Sequence, residues 1–230
     1  MAMVLEKVVP FGRSLDEYVH MFNLTPADLT GNILAVADGP ASFNAEGTQL
    51  GYQITSIDPI YQFTKAEIQA RFNAVVNDII QQIKTTPNDW VWSYHRSPED
   101  LRAKRVKAIQ TFLADYDQGK KQGRYLTAEL PELPFTTNQF DLALCSHFLF
   151  LYSEHFDAKF HLRSLQSMLR AATEVRIFPL LTLMRERSPH LEFVIQSLID
   201  QDYAVSVQRV GYELQRGGNE MLVVHPKSHC

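Results

Sequence analysis

The residues best placed to do chemistry in this chain lie around two carboxylates. Ile33-Leu34-Ala35-Val36 is an aliphatic run, Ala37-Asp38-Gly39-Pro40-Ala41 is a tight turn of small residues, and Ser42-Phe43 opens a helix. Small residues let a ligand approach the backbone, and the first amides of a helix are free to donate to it. A second apolar run, Gln53 to Ile57, ends at Asp58-Pro59, nineteen residues beyond Gly39. A carboxylate at the tip of a second strand can accept two hydroxyl hydrogen bonds from a ribose. Asp38, Gly39, Pro40, Ser42, Phe43, Asp58 and Pro59 together suggest a site for a nucleoside-containing ligand. The bland alternative is a strand-to-helix turn at Gly39-Pro40 and a helix-initiating turn at Asp58-Pro59.

The elements that must hold these residues are written in periodicity and caps. Short apolar runs at Ile33–Ala37, Gln53–Ile57, Tyr125–Ala128, Phe140–Cys145 and Val175–Phe178 are too brief for helices and suit buried strands. Between them, Ile68 to Ile83, Leu101 to Tyr116, Phe156 to Leu169 and Leu191 to Leu198 repeat apolar residues at helical spacing. Ser14 with Glu17, Thr25 with Asp28, Thr64 with Glu67, and Ser97 with Asp100 pair a hydroxyl with a carboxylate three residues on, and Ser188 precedes Pro189. Each is a predicted helix start. Alternating strands and helices predict an α/β, doubly wound, mainly parallel sheet. The last two strands, Tyr203–Val210 and Met221–Val224, are separated only by a turn-rich segment and predict an antiparallel hairpin.

Composition narrows the function classes. The 230 residues carry a net charge of −4, are 45% hydrophobic, and include two cysteines, Cys145 and Cys230. A disulfide scaffold and cysteine-rich zinc modules are thereby excluded, and a reducing, cytoplasmic setting is expected. The apolar stretches fall short of a membrane span, and the N-terminus lacks a signal pattern. The acidic balance makes nucleic acid an unfavoured partner and a small molecule the expected one; the oligomeric state stays open. Eight histidines suggest metal, but His155 and His161 fall on different helical faces and no H-E-x-x-H or C-x-x-C occurs, so no metal is expected. G-x-S-x-G, the P-loop and G-x-G-x-x-G are absent, the last weakening a nicotinamide-dependent oxidoreductase. The basic run Arg102, Lys104, Arg105 and Lys107, with Lys120, Lys121 and Arg124, is expected to be a solvated helix face.

Ile33 to Phe43 resembles the first, glycine-rich motif of class I S-adenosylmethionine-dependent methyltransferases, and the resemblance extends over most of the chain. It implies that Asp58 holds the ribose hydroxyls. The segment Ala128 to Phe135 is similar to the one after the family's third strand, which would set Glu129 and Leu130 against adenine. Phe140 to His147 looks like the fourth strand and its exit, which implies that Ser146 borders the donor and that His147 lies beside the methyl group. His147 is then the candidate general base, or a packed histidine bonded to backbone or to the donor's amino-acid end. Ser146–Tyr152 and Arg176–Leu180 resemble a bacterial subgroup described only as methyltransferase-like, which implies no substrate.

The sequence departs from the family pattern at Ala35, where the first acid usually stands, and at Ala37 and Ala41, which replace two glycines. Asp38 is then the candidate carboxylate for the donor's amino group. The alternative is a catalytically degenerate protein that acts as a nucleoside sensor or interaction module. The expected organisation is one domain over 1–230 with an N-terminal helical lid at about 1–30 and a helical insertion at about 85–123. Tyr18, His20, Met21 and Phe22 belong to the lid. Trp90 to Arg96 borders the insertion, as a substrate wall or as an anchor for the next helix. Tyr18, Tyr94, His95, Arg96 and Tyr152 are the candidate substrate contacts, with core packing the alternative for Tyr152.

Overall fold

The computed structural model describes residues 9–227, so Cys230 and the first residues of the expected lid lie outside the described part. Seven strands form one sheet: β1 (Asn32–Val36), β2 (Gln53–Ile57), β3 (Tyr125–Leu126), β4 (Phe140–Ser146), β5 (Ala172–Phe178), β6 (Tyr203–Arg209) and β7 (Glu220–Pro226). Their order is β3-β2-β1-β4-β5-β7-β6. β1 pairs in parallel with β2 and β4, and β4 with β5. β7 enters antiparallel between β5 and β6. This is the doubly wound sheet with a terminal hairpin that the sequence predicts, and the hairpin sets it apart from an ordinary Rossmann sheet. Strand order reverses between β1 and β4, which opens a crevice at their carboxyl ends.

Helices cover both faces: α1 (Leu15–Phe22), α2 (Phe43–Gln49), α3 (Lys65–Thr85), α4 (Pro98–Lys121), α5 (Ala158–Ala171) and α6 (Leu191–Asp200). Successive strand side chains point to opposite faces, so Leu34 and Val36 join one core with Leu165, Met168 and Val194, while Ile33 and Ala35 join another with Met21, Phe22 and Ile80. A third cluster joins α3 to α4 through Phe72, Val76, Phe112 and Tyr116. The caps at Ser14, Thr64 and Ser97 form as expected.

Three local expectations change. Thr25 and Asp28 exchange the predicted bonds, but only a single 3-10 turn, Asp28–Thr30, follows. The helix after Pro189 begins at Leu191 with His190 at its cap, and the Ser188 hydroxyl accepts from the His190 amide at 3.2 Å ahead of it. The third strand stops at Leu126, and Glu129 instead bridges to Glu132 in a tight loop.

The basic run on α4 is not uniformly solvated. Arg105 is 1% exposed and makes two 2.6 Å bonds to the Glu17 carboxylate, which is 0% exposed. Tyr212 donates its hydroxyl to Glu17 at 3.1 Å, and His95 Nε2 lies 3.3 Å from the same oxygen. Burial alone would raise the Glu17 carboxyl, but the charge of Arg105 and the bonds from His95 and Arg105 outweigh it and hold the group well below the usual carboxylate range. Arg105 remains charged for the reciprocal reason.

Removing one partner strands the other charge in the core, so Arg105→Met is expected to lose about 3–5 kcal/mol of stability. Adding Glu17→Gln should recover much of that loss. Urea titration measures both, and an Arg105→Met midpoint equal to wild type would refute the assignment.

Candidate functional site

A cavity of about 560 Å³ opens at the carboxyl ends of β1, β2 and β4, a volume within the roughly 300–1,000 Å³ of small-ligand sites. Its floor is the turn after β1. Ala37 adopts φ 52° and Gly39 φ 56°, so the alanine takes a left-handed conformation that glycine would hold with less strain. A Cβ added at Gly39 would meet only the Asp58 carboxylate, at 3.9 Å, which leaves that side of the turn open to the cavity.

Asp58 caps the single 3-10 turn Pro59–Gln62. Its Oδ1 accepts from the Ile60 amide at 2.8 Å, and its Oδ2 from the Gly39 amide at 2.9 Å. Each oxygen keeps a further lone-pair direction. Asp38 is held from behind: Tyr18 donates its hydroxyl to one oxygen and Ser56 donates to the other at 2.6 Å. Asn44 supports Ser56 at 3.0 Å and is itself bonded by Arg124, which closes a buried polar chain under the turn. Burial pushes both carboxyls up from 3.8 to about 6, against the opposing bonds that Ser56 and Tyr18 make to Asp38 and the Ile60 and Gly39 amides make to Asp58.

The roof is a strap without regular secondary structure, Val9 to Arg13, just ahead of α1, in which the Phe11 amide turns back to the Val9 carbonyl at 2.9 Å. Gly12 lies flush on the β1 turn, and a Cβ there would stand 2.1 Å from the Pro40 carbonyl oxygen. Ser42 donates its amide to the Arg13 carbonyl at 2.9 Å, so strap and turn are locked together. The Arg13 guanidinium donates to the Phe11 carbonyl at 2.9 Å, while its Nε is buried without a hydrogen-bond partner. At the far wall His147 has φ 52°, and its Nδ1 lies 2.9 Å from the Ser146 hydroxyl. Burial, then the nearby Arg13 and Arg105 charges, hold the His147 imidazole well below its usual value, so it is neutral at pH 7.

Of the residues singled out in the sequence, Tyr18, Asp38, Gly39, Asp58, Pro59, Glu129, Leu130, Ser146 and His147 all line this cavity. Pro40, Ser42 and Phe43 lie behind it. Pro40 supports Gly12, Ser42 donates to Glu46 at 2.5 Å, and Phe43 stacks on Tyr18 with ring centres 4.1 Å apart. Tyr94, His95 and Arg96 stand apart from it. Tyr94 donates to Asp16, His95 belongs to the Glu17 cluster, and the exposed Arg96 caps toward Asp100 through its amide. They anchor α1 and α4. Tyr152 accepts a 3.4 Å bond from the Val9 amide at the base of the strap, and His20 is exposed, bonded to the Asp16 carbonyl. Sequence reasoning missed Phe11, Arg13, Arg71 and Phe148 as cavity walls: the first three lie outside any motif, and Phe148 sits inside the Ser146–Tyr152 run, whose resemblance assigns it no role. Among the described residues no group of three or more potential metal ligands occurs, and no helix is long and apolar enough to cross a membrane.

No known family profile matches the chain. It is 33% identical to the uncharacterized protein MJ0045 of Methanocaldococcus jannaschii over 96% of this chain and 97% of that one. Among solved structures it is similar to magnesium protoporphyrin IX methyltransferase of Synechocystis PCC 6803, with 12% identity, 93% of this chain and 81% of that chain covered, and a TM-score of 0.49. It is also similar to the 1,6-didemethyltoxoflavin-N1-methyltransferase of Burkholderia thailandensis, with 12% identity, 86% and 72% covered, and a TM-score of 0.46.

A carboxyl whose folded pKa is raised binds its proton more tightly when folded. Its favourable contribution is therefore present below about pH 4 and lost as pH rises through about 6. Relative to Asp58→Asn, whose amide cannot ionise, the ligand-free wild type should lose stability across that window. Paired thermal melts at steps of pH measure the difference, and a constant offset would contradict the raised value. Gly12→Ala must displace the strap from the Pro40 peptide. It should lower Tm by several degrees and deprotect the Ser42 amide in hydrogen exchange, and an unaltered Ser42 amide would argue against the lock.

Proposed function

We propose that this chain, which belongs to the family of the Methanocaldococcus jannaschii protein, is an S-adenosylmethionine-dependent methyltransferase acting on a small-molecule acceptor by in-line transfer. The observation that carries the reading is Asp58, fixed by the Gly39 and Ile60 amides at the lip of a cavity large enough for a nucleoside. The residues present fit the donor. Asp58 retains acceptor capacity for two ribose hydroxyls, the bare face of Gly39 leaves room beside it, and Leu130 with Glu129 offers an apolar surface and a carboxylate to adenine. Three carboxylates, Asp38, Asp58 and Glu129, share the lining with Arg13 and Arg71, and the carboxylates can face the cationic sulfonium and its ammonium group.

Bound there, S-adenosylmethionine supplies an electrophilic methyl group. The protein's own part is to align the acceptor, exclude water and take up a proton where the acceptor still carries one. Neutral His147 can do the last: with Nδ1–H donated to the Ser146 hydroxyl, Nε2 carries the free lone pair. The strap Val9–Arg13, backed by α1, serves as the lid.

A second reading, a nucleoside sensor without transfer chemistry, draws on Ala35, which leaves β1 without the family's first acid. Release of S-adenosylhomocysteine in the presence of an acceptor panel separates the two. For donor binding, the product analogue at a hundred times its Kd should add about 2.7 kcal/mol and raise Tm by several degrees. Asp58→Ala should abolish the rise. No shift for wild type at millimolar S-adenosylhomocysteine would sink the proposal.

A further inference from the structure

Beneath the turn after β1 a line of hydrogen bonds runs inward from Asp115 on α4, and its direction is fixed by the chemistry of its members. Arg124 is held by the Asp115 carboxylate at 2.7 and 2.8 Å and donates to the Asn44 side-chain oxygen at 2.6 Å. A guanidinium only donates, so the oxygen of the Asn44 amide must face it. The Asn44 nitrogen then faces the Ile54 carbonyl, which only accepts, and the Ser56 hydroxyl, each at 3.0 Å. Asn44 and Ser56 are both fully buried.

The Ser56 hydroxyl has one hydrogen. Because its oxygen receives Asn44, that hydrogen is left for Asp38 Oδ2, 2.6 Å away. The other oxygen of Asp38 receives Tyr18. Were Asp38 protonated on Oδ2, the serine hydrogen would lose its acceptor in the core, which is costly. Two hydrogens are thus delivered to a carboxylate whose charge burial opposes. The other groups facing it are Arg13 from the strap, Asp58 at the tip of β2, Tyr61 from the 3-10 turn, Tyr125 on β3 and Cys145 on β4. Arg13 supports the charge, Asp58 opposes it, and the two phenols and the thiol, their proton affinities raised by burial, are neutral near pH 7.

We propose that Ser56, aimed by Asn44, is a positioning residue for the donor: it keeps Asp38 charged, so that the outward side of that carboxylate takes the donor's ammonium group. The inference rests on the donor reading of the cleft. Ser56 carries no charge and does not line the cavity, yet it sets the charge that the cavity presents.

Two analogues separate this role from a structural one. S-adenosylhomocysteine carries the ammonium group, whereas methylthioadenosine keeps the adenosine and the thioether without the amino-acid end. Affinity for the first should rise with pH through about 6 as Asp38 ionises. Asp58 titrates in the same range and meets the ribose of both, so its effect cancels in the comparison. A hydrogen bond to a charged group corresponds to about one pH unit or more, so Ser56→Ala should raise the Asp38 midpoint by about one unit, and Ser56→Cys, a weaker donor of similar size, by less. Carbon-13 NMR of the carboxyl in the free protein reads this directly. In calorimetric titrations, Ser56→Ala should bind S-adenosylhomocysteine several-fold more weakly near pH 6, match wild type by about pH 8, and bind methylthioadenosine as wild type does throughout. An unmoved Asp38 midpoint overturns the proposal. So does a loss that is equal for the two ligands or constant with pH, since that marks a distorted turn. If wild type binds neither ligand, the donor reading falls and the ammonium assignment with it, while the carboxyl titration still decides whether Ser56 sets the charge of Asp38.

Discussion

The buried pair of Glu17 and Arg105 sets the geometry on which the rest of the site depends. Taking two charges out of water is tolerated only when their geometry is good and further hydrogen bonds supplement their attraction. Here Glu17 receives Arg105 twice, Tyr212 once and the Ser14 amide once, so α1, α4 and the chain before β7 converge on one carboxylate. Arg105 also donates to the Gly12 carbonyl at 3.3 Å, which carries the constraint into the strap. From there Gly12 meets the Pro40 peptide, and the Arg13 carbonyl takes the Ser42 amide. A single ion pair thus sets the height of the roof above the turn that follows β1.

That roof brings Arg13 to the same cavity as the carboxylates of the strand ends. On the sheet side, carboxylates are held at raised proton affinity by burial, their oxygens engaged by hydroxyls and amides rather than by cations. Arg13, whose Nε is buried without a partner, lines this cleft too and acts on Asp38 from the strap. His147 lies between, neutral because burial and the arginines disfavour its protonated form. A neutral imidazole can accept a proton without first losing one, and the transferase reading uses it in that role.

The family resemblance and the tertiary contacts bear differently on the altered turn. Ala37 takes the left-handed conformation of a motif glycine at φ 52°, so the alanine keeps the turn's path at the cost of some strain. Asp38 is not a free side chain aimed at a ligand; it is the hub joining Tyr18 on α1 to Ser56 on β2, and it presents its charge to the cleft from within that network. Tyr94 and His95 show the opposite outcome. An aromatic cluster beside polar residues suits a binding wall in sequence, yet the acidic residues of α1 claim both side chains.

Local chemistry was enough to determine the parallel sheet, the terminal hairpin, the caps at Ser14, Thr64 and Ser97, and the placing of Gly39 and Asp58 at neighbouring strand ends. Each of these rests on periodicity, on a cap bond within four residues, or on the rule that parallel strands finish at one edge. The tertiary structure decided what depends on residues far apart in the chain. Arg105 looked like part of a solvated basic face until Glu17, 88 residues away, neutralised it in the core. Gly12 and Arg13 carry no motif, and their place over the cleft follows only when the strap is packed on Pro40 and Ser42. Periodicity reports which face of an element is buried, but it holds no information about which distant charge or backbone atom will meet that face.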